Sequence, residues 1–382
     1  MSHGRRVAFL RMGPHPIPNR LLPPELATAL GGARLDVFDV EAAVRRDLLT
    51  LLVNPLFLIA EHGPSLARGR IRPWRAFFTT TWMFRRMSRL ARRFVERGGY
   101  DVSFQIQSLF DAGADGTPHF VYTDHTHLAN LAYPDFDRRT LRGERWIALE
   151  RRLYARAAVV FTRSRHVSRS LVTQYERPPE RVVCVGAGSN ARVCEEEATE
   201  RRSGPPRILF IGVDWKRKGG PELAEAFSRL RGRHPEARLT IVGCRPRIDL
   251  PNVDVVGYCP VESVHVHYQR AAVFCLPVHR EPFGIAFVEA LHHGLPIVST
   301  RVGAIPDLVQ HGSNGFLIEV GDVDELAATL DRLLSDPETR RKMGDRSRER
   351  ARDYTWPRVA RKMADAVLEH LPEWKQPADV SC

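Results

Sequence analysis

The sequence predicts an α/β protein of two domains, each a parallel sheet flanked by helices, and three observations predict it. Short apolar runs of strand type alternate along the chain with amphipathic stretches of helical period, the pattern of parallel strands joined by crossover helices. At 382 residues the chain is too long for one ordinary core. Between residues 189 and 206 the composition changes to a charged stretch with Gly and Pro, EEEATERRSGPP, which reads as a linker and a hinge.

In the first half, RVAFLRMGP opens as a buried strand that runs into a loop rich in Gly and Pro, and residues 33–40 read as a second strand. Residues 48–60 are strongly apolar but broken by Asn54 and Pro55. The next helical run places Met83, Met87, Leu90 and Phe94 on one stripe, with Arg85, Arg86, Arg89, Arg92, Arg93 and Arg97 around it. A basic amphipathic helix of this kind can lie on an anionic membrane; equally, it can pack on its own domain and solvate its arginines. DVSFQIQSLF and HFVYTDHTHLANLAY continue the alternation, and the second carries Asp124, His125 and His127 directly after a strand, where open α/β sheets bind ligands. A histidine there can donate to a hydroxyl or a carbonyl. Residues 144–188 then read as helix, strand, helix, strand, with Ser164 capping the second helix.

The second half starts with RILFIGVDWKRKGGPELAEAFSRL: a strand, a basic loop and a helix with Pro221 in its first turn and Leu223, Ala226, Phe227 and Leu230 on one face. Lys216, Arg217 and Lys218 lie at the strand's C-terminal end, where cations can neutralise a leaving diphosphate; elsewhere such a triplet is usually a solvated turn. RLTIVG, VDVVG and VFCLP follow as short strands. The stretch REPFGIAFVEALHHGLPIVST, residues 280–300, then combines a loop, a helix over 284–293 and a buried strand. Pro282 keeps Glu281 in the loop. The first helical turn points unpaired amides and a positive dipole end past Phe283, Gly284 and Ile285, a setting that suits a diphosphate. Glu289 sits more than one turn in, where its carboxylate can accept from sugar hydroxyls such as those of a ribose. GFLIEV is a further strand, Asp322 and Glu325 form a capping box rather than a metal site, and YTWPRVARKMADAVLEHL is a last helix.

Bulk properties narrow the classes. A net charge of +12 and a pI near 9.8 attract anions, whether nucleotides, nucleic acid or an acidic membrane face. Nucleic acid ranks last, because no helix-turn-helix, zinc-finger or aromatic–basic single-strand motif stands out. P-loop and GxGxxG fingerprints are absent, which argues against an ATPase or a nicotinamide dehydrogenase. The six cysteines show neither CxxC nor metal-ligand spacing, so a reducing cytoplasm is the expectation. The run in MSHGRRVAFLRMG is too short for a signal peptide, and no stretch is long enough to span a bilayer.

The spacing Glu-x7-Glu within EPFGIAFVEALHHGLPIVSTRVGAIPDLV, followed by HGSNGFLIEVGD, resembles the donor-binding half of the retaining GT-B glycosyltransferases, glycosyltransferase family 4 (glycosyl transferases group 1). The likeness covers about residues 207–353 well and the earlier half loosely. It implies two Rossmann-like α/β/α domains facing a cleft: an acceptor domain at 1–190 and a nucleotide-sugar donor domain at 205–356, with the last helix, 357–375, packing back on the first from a crossing point at Trp356-Pro357. The implied activity is that of a retaining hexosyltransferase in polysaccharide or glycolipid biosynthesis. It moves a sugar from a nucleoside diphosphate sugar to a hydroxyl of a saccharide, lipid-linked or small-molecule acceptor, with no metal or other cofactor.

The resemblance also implies roles for residues. Glu281 orients the transferred sugar and Glu289 the ribose, Lys218 in RKGG matches the family's lysine, and His125 in YTDHT matches its histidine beside the sugar. Phe283, Gly284, Ile285, Lys216 and Arg217 complete the donor site. Two departures stand out. Val213 occupies the place of the family's arginine, leaving Lys216 or Arg217 to substitute, and the paired-glycine loop after the first strand is replaced by MGPHPIPNR. Glu281 is not assigned as a nucleophile, because no paired acid in the first domain fills the partner role. A nucleotide-sugar epimerase of the same fold, or a non-catalytic GT-B-like binding protein, are the alternative readings. Expected partners are the donor, a saccharide or lipid-linked acceptor, and a peripheral contact of the basic helix 82–97 with the inner face of a membrane.

Overall fold

The computed structural model describes residues 4–13, 18–69, 71–190 and 204–375. Two expected features, the centre of the MGPHPIPNR loop and most of the charged linker, lie outside the described residues, as do Cys194 and Cys382. The chain divides into two compact units, one of Met1–Leu131, Phe136–Gly186 and Trp356–Cys382, the other of Ala132–Asp135 and Ala187–Thr355.

The first unit holds a parallel sheet of β1 (Arg6–Arg11), β2 (Arg34–Asp39), β3 (Val102–Ile106), β4 (His119–Thr123), β5 (Val159–Thr162) and β6 (Val182–Cys184), in the order β2-β1-β3-β4-β5-β6. Every residue of β3, β4 and β5 is buried, including the polar Ser103, Gln105, His119, Thr123 and Thr162, as expected of strands covered on both faces. Around the sheet lie α1 (Pro18–Ala29), α2 (Val40–Arg45), α3 (Leu48–Ala67), α4 (Pro73–Phe77), α5 (Thr81–Gly98), α6 (Glu144–Arg156) and α7 (Arg165–Gln174).

One of these helices departs from expectation, and another decides between two open readings. Helix α3 runs straight through Asn54 and Pro55, where the apolar run was expected to break. Pro55 removes the donor that would meet the carbonyl of Leu51, but Leu51 sits on an exposed turn, where water can replace the lost bond. Helix α5 starts at a Thr80 cap, whose hydroxyl accepts from the Met83 amide at 3.0 Å, and stops at left-handed Gly99. Its Met83, Met87, Ala91 and Val95 are buried in a cluster with Ala8, Leu10, Val40 and Val44. The apolar stripe of the basic helix 82–97 is therefore core, and only its arginine face is open to a bilayer.

Within this sheet His119 is buried, its Nδ1 2.8 Å from the Ser103 hydroxyl. Burial, assisted by the Arg156 and Arg92 cations, pushes its pKa down to about 3. Because the folded value lies below the unfolded one, the stabilising contribution is complete above pH 6.5 and is lost as the pH falls towards 3. At about 1.4 kcal/mol per pH unit, the loss reaches roughly 2 kcal/mol by pH 5. His119→Gln is expected to flatten the stability–pH curve between 6.5 and 4. Urea titrations across that range check it, and a slope equal to that of the wild type would refute the assignment.

The second unit holds β7 (Arg207–Ile211), β8 (Arg238–Val242), β9 (Val253–Gly257), β10 (Val273–Leu276), β11 (Ile297–Thr300) and β12 (Gly315–Ile318), all parallel, in the order β12-β11-β10-β7-β8-β9. Its helices are α8 (Gly220–Leu230), α9 (Val261–Arg270), α10 (Ile285–His292), α11 (Ile305–Leu308), α12 (Val323–Ser335) and α13 (Pro337–Ala351). Leu223, Ala226, Phe227 and Leu230 of α8 are buried, and α12 starts at Asp322, whose carboxylate accepts from the Glu325 amide at 2.8 Å. The last helix, α14 (Trp356–His370), belongs to the first unit and packs on α1 and β5. Cys244, Cys259 and Cys275 are free thiols.

Candidate functional site

The order of the second sheet reverses between β7 and β10. From β7 the chain builds outward through β8 and β9, and from β10 it builds the other way through β11 and β12. At such a switch point the loops leaving the two central strands part, opening a crevice at their C-terminal ends. The loop after β7 carries Lys218, and the loop after β10 carries Glu281.

Residues 212–219 turn tightly between β7 and α8. The Lys218 amide donates to the Asp214 carbonyl and the Gly219 amide to the Lys216 carbonyl, both at 3.0 Å. Gly219 has φ +75°, and a Cβ there would overlap the carbonyl oxygen of Pro277, at the start of the other loop. The two loops can touch only because this residue lacks a side chain. The turn aims Lys218 inward, and its Nζ forms an ion pair with Oε2 of Glu281, both side chains being nearly buried.

Glu281 is fixed through its backbone as well. Its carbonyl accepts from the Ala304 amide at 3.0 Å, over Gly303 at φ +55°, where any Cβ would strike that same carbonyl. Tyr133, in the segment that belongs to this unit, lies beside Glu281; burial and the neighbouring carboxylate raise its hydroxyl pKa. Three residues past Glu281, Gly284 caps α10 at φ +93° with no side chain to satisfy the first-turn amides. The amides of Ile285 and Ala286 have no intrahelical acceptor by geometry, so the start of α10 is a place for an anion. On the next turn Glu289 is buried, its Oε2 2.9 Å from the Tyr268 hydroxyl, which lies equally close to the Ala286 carbonyl. The Tyr268 ring stacks on His293.

The other two bases of the loop behave differently from Lys218. The Arg217 guanidinium is committed to protein acceptors, the carbonyl of Arg280 at 2.8 Å and Asp214 at 3.3 Å. Lys216 is exposed and has no ion pair among the described residues. Both line a cavity of about 420 Å³ with Asp135, Asp214, Glu222, His279 and Arg280. His279 bridges Asp135 and Glu222, with Nε2 2.8 Å from the latter. Burial works against its charge, but the two carboxylates outweigh burial and raise its pKa.

In the first unit, the turn after β4 holds His125. Its Nε2 lies 3.0 Å from the Asn130 amide nitrogen, which donates to it, and this leaves the proton on Nδ1, a buried atom without a partner among the described residues. Burial, helped by Arg142 and His166 against Asp124, pushes the ring down to about 4, so it is neutral at pH 7. His127 is held otherwise: its Nε2 accepts from the Arg142 amide at 2.7 Å. Asp124 lies 3.5 Å from the buried Arg163. Beneath the turn, buried Glu150 accepts from the His127 amide at 3.2 Å and from the Tyr175 hydroxyl, and burial pushes its pKa up to about 7.

Residues 39–191 match the family described as Glycosyltransferase Family 4, and residues 194–350 the one described as Glycosyl transferases group 1. The chain belongs to glycosyltransferase family 4. A D-inositol 3-phosphate glycosyltransferase of Corynebacterium efficiens is 28% identical over 276 residues, which cover 65% of this chain and 65% of that protein. The chain spans about 50–65% of the length of the first curated relatives it matches. Among solved structures, a sucrose-phosphate synthase from Thermosynechococcus elongatus superposes with a TM-score of 0.68 at 16% identity, covering 97% of this chain and all of that one. The Anabaena protein HepE in complex with UDP and glucose gives 0.61 at 14% identity, covering 94% and 98%. The fold is GT-B.

In this family 4 chain, the second unit brings together Lys218, Glu281, Phe283, Gly284 and Ile285 around one crevice, with Glu289 one turn deeper. Phe283 is buried and faces Tyr354 at a ring distance of 6.5 Å. Val213, in the place of the family's arginine, is 79% exposed. Arg217 does not present a free guanidinium as its substitute, whereas Lys216 is exposed and has no ion pair among the described residues. Sequence reasoning passed over Tyr133, Tyr268, His279 and Glu150. Each comes from a segment far along the chain from the residue it supports; Glu150 and Tyr268 were marked only as polar residues within the buried face of a helix, and Tyr133 and His279, in loops, carried no local signal.

Proposed function

We propose that the chain is a retaining glycosyltransferase that moves a sugar from a nucleoside diphosphate sugar to an acceptor hydroxyl. The observation that carries the reading is the Lys218–Glu281 pair at the switch point, next to a helix start whose cap has no side chain. As the bond to the sugar breaks, negative charge grows on the departing diphosphate. Lys218 and the amides of Ile285 and Ala286 are already in place to meet it, without reorganisation at the moment of reaction. Lys216 supplies a second cation at the rim. Glu281, held by its backbone and neutralised by Lys218, acts as an acceptor for sugar hydroxyls rather than as a nucleophile. Glu289, oriented by Tyr268, takes the ribose hydroxyls. His125 offers a neutral imidazole whose Nδ1 proton has no partner among the described residues, suited to a sugar hydroxyl or carbonyl. The reading assigns no metal.

UDP is the first nucleotide to try, since HepE holds UDP and glucose, and a polyol or saccharide hydroxyl is the first acceptor class, since the Corynebacterium relative is named for inositol 3-phosphate. Purified protein is offered UDP-, GDP- and ADP-sugars and scored by thermal shift and slow hydrolysis. One nucleotide class is expected to raise Tm and to be hydrolysed. Glu289→Gln should weaken that binding by about tenfold, the worth of one charge-assisted hydrogen bond. With an acceptor in hand, the proton NMR coupling of the product should show the donor's anomeric configuration. An isomerised nucleotide sugar formed without acceptor would mean an epimerase, and silence across the panel from folded protein would mean a GT-B-like binding protein.

A further inference from the structure

Helix α3 is built inside out. Its buried positions are polar: Thr50 and Asn54 are fully buried, and the Asn54 amide donates to the Phe77 carbonyl at 2.9 Å while accepting from the Thr80 hydroxyl at 2.5 Å. Six of its aliphatic residues are exposed, while Val53, Leu58 and Leu66 are half-buried. Leu48 and Leu52 are 74% and 75% exposed, and Leu56 and Ile59 are each 68% exposed. At 100° per residue these four fall within an arc of about 80°, and exposed Leu49 and Leu51 widen it. Scattered surface leucines are ordinary, but six exposed aliphatic side chains on one helix form a patch that needs a partner.

The surroundings say which partner. Residues 45–75 contain six arginines, Arg45, Arg46, Arg68, Arg70, Arg72 and Arg75, against two acids, Asp47 and Glu61. Both acids are engaged: Asp47 accepts from Arg86 at 2.8 Å and caps α3, and Glu61 accepts from the Thr81 amide at 2.9 Å. Arg46, Arg68 and Arg72 are exposed, with no ion pair among the described residues. Trp74, on the adjoining α4, is 59% exposed, with the Arg75 guanidinium 5.2 Å from its ring. An aliphatic face with arginines at its ends and a tryptophan at its edge matches a lipid interface: acyl chains for the leucines, anionic headgroups for the arginines, and the boundary between them for the indole. Two copies of the chain meeting through this face would oppose like charges. No helix among the described residues is long and apolar enough to cross a membrane.

We infer that α3 and α4 dock the protein on an anionic phospholipid surface, with α3 lying in the plane of the interface. The contact belongs to α3 rather than to the basic helix 82–97, whose apolar stripe is core.

The test uses the whole chain and reads vesicle binding rather than turnover, so its outcome is separable from that of the proposed activity. Protein is sedimented with vesicles of phosphatidylcholine alone or mixed with phosphatidylglycerol, at low and high salt. The wild type is expected to bind the mixed vesicles, less so at high salt. The double variant L52E/L56E should lose binding by about tenfold or more, and R46E/R72E should lose the preference for the anionic lipid. Both should melt with the wild type, since all four side chains are exposed. Wild type that stays in the supernatant, or L52E/L56E that binds as well as wild type, overturns the inference. So does a dimer, seen by analytical ultracentrifugation, that L52E/L56E abolishes.

Discussion

Lys218→Ala is expected to lower turnover of the nucleotide sugar by about 10²–10³-fold, the usual effect of removing one preorganised group that meets developing charge. The loss should fall on kcat as well as on KM, because the charge on the diphosphate is greater in the transition state than in the bound donor. Alanine at this position also strands Glu281, which is only 7% exposed. Taking away one member of a nearly buried pair costs about 3 kcal/mol, since the other charge stays desolvated without compensation. Part of any activity loss in the single variant could then reflect a weakened fold.

The double variant K218M/E281Q separates the two effects. It replaces the pair with a neutral chain of similar length and a neutral amide, so stability should return to within about 1 kcal/mol of wild type, while turnover stays at the floor. Urea unfolding, followed at the transition of the second unit because a two-unit chain need not unfold in one step, gives the stability half. A double variant that regained both stability and turnover would show that the pair is structural and that the charge is met elsewhere.

How much of this was legible in the sequence depends on whether a feature is local. Strands such as β7 and β10 could be read because burial makes their centres continuous apolar runs, and Asp322 and Ser164 because a cap acts on amides three residues ahead. Lys218 and Glu281 could each be read from its own motif. Their pairing could not: it spans 63 residues and depends on β7 and β10 being neighbours, a matter of strand order that no local pattern encodes. Tyr133 and Tyr268 were missed for the same reason. The helices show a second limit. An apolar stripe looks the same whether it faces a core or a bilayer, so the stripe of α5 was visible while its burial was not. In α3, the proline that suggested a break hid a continuous helix whose outward leucines are the better membrane candidate.

Gly219→Ala is expected to be costlier than any other glycine-to-alanine change at a similar φ in the second unit where the Cβ would meet open space. Gly321 provides the comparison: its φ is +81°, close to the +75° of Gly219, but a Cβ there would meet nothing within 4 Å. Gly321→Ala should therefore cost only the left-handed backbone term, about 1–2 kcal/mol, and leave turnover unchanged. At Gly219 the same term is joined by overlap with the Pro277 carbonyl, a backbone atom that cannot rotate away. The loop bearing Lys218 must then lift from the loop bearing Glu281. A displacement near 1 Å at a charge-meeting group costs on the order of 10²-fold in rate, so Gly219→Ala should lose activity nearly as Lys218→Ala does, although no functional group has been removed. Urea unfolding and kcat for the two glycine variants decide the matter. Equal effects at both positions would mean that the close approach of the two loops is not what holds the Lys218–Glu281 pair together.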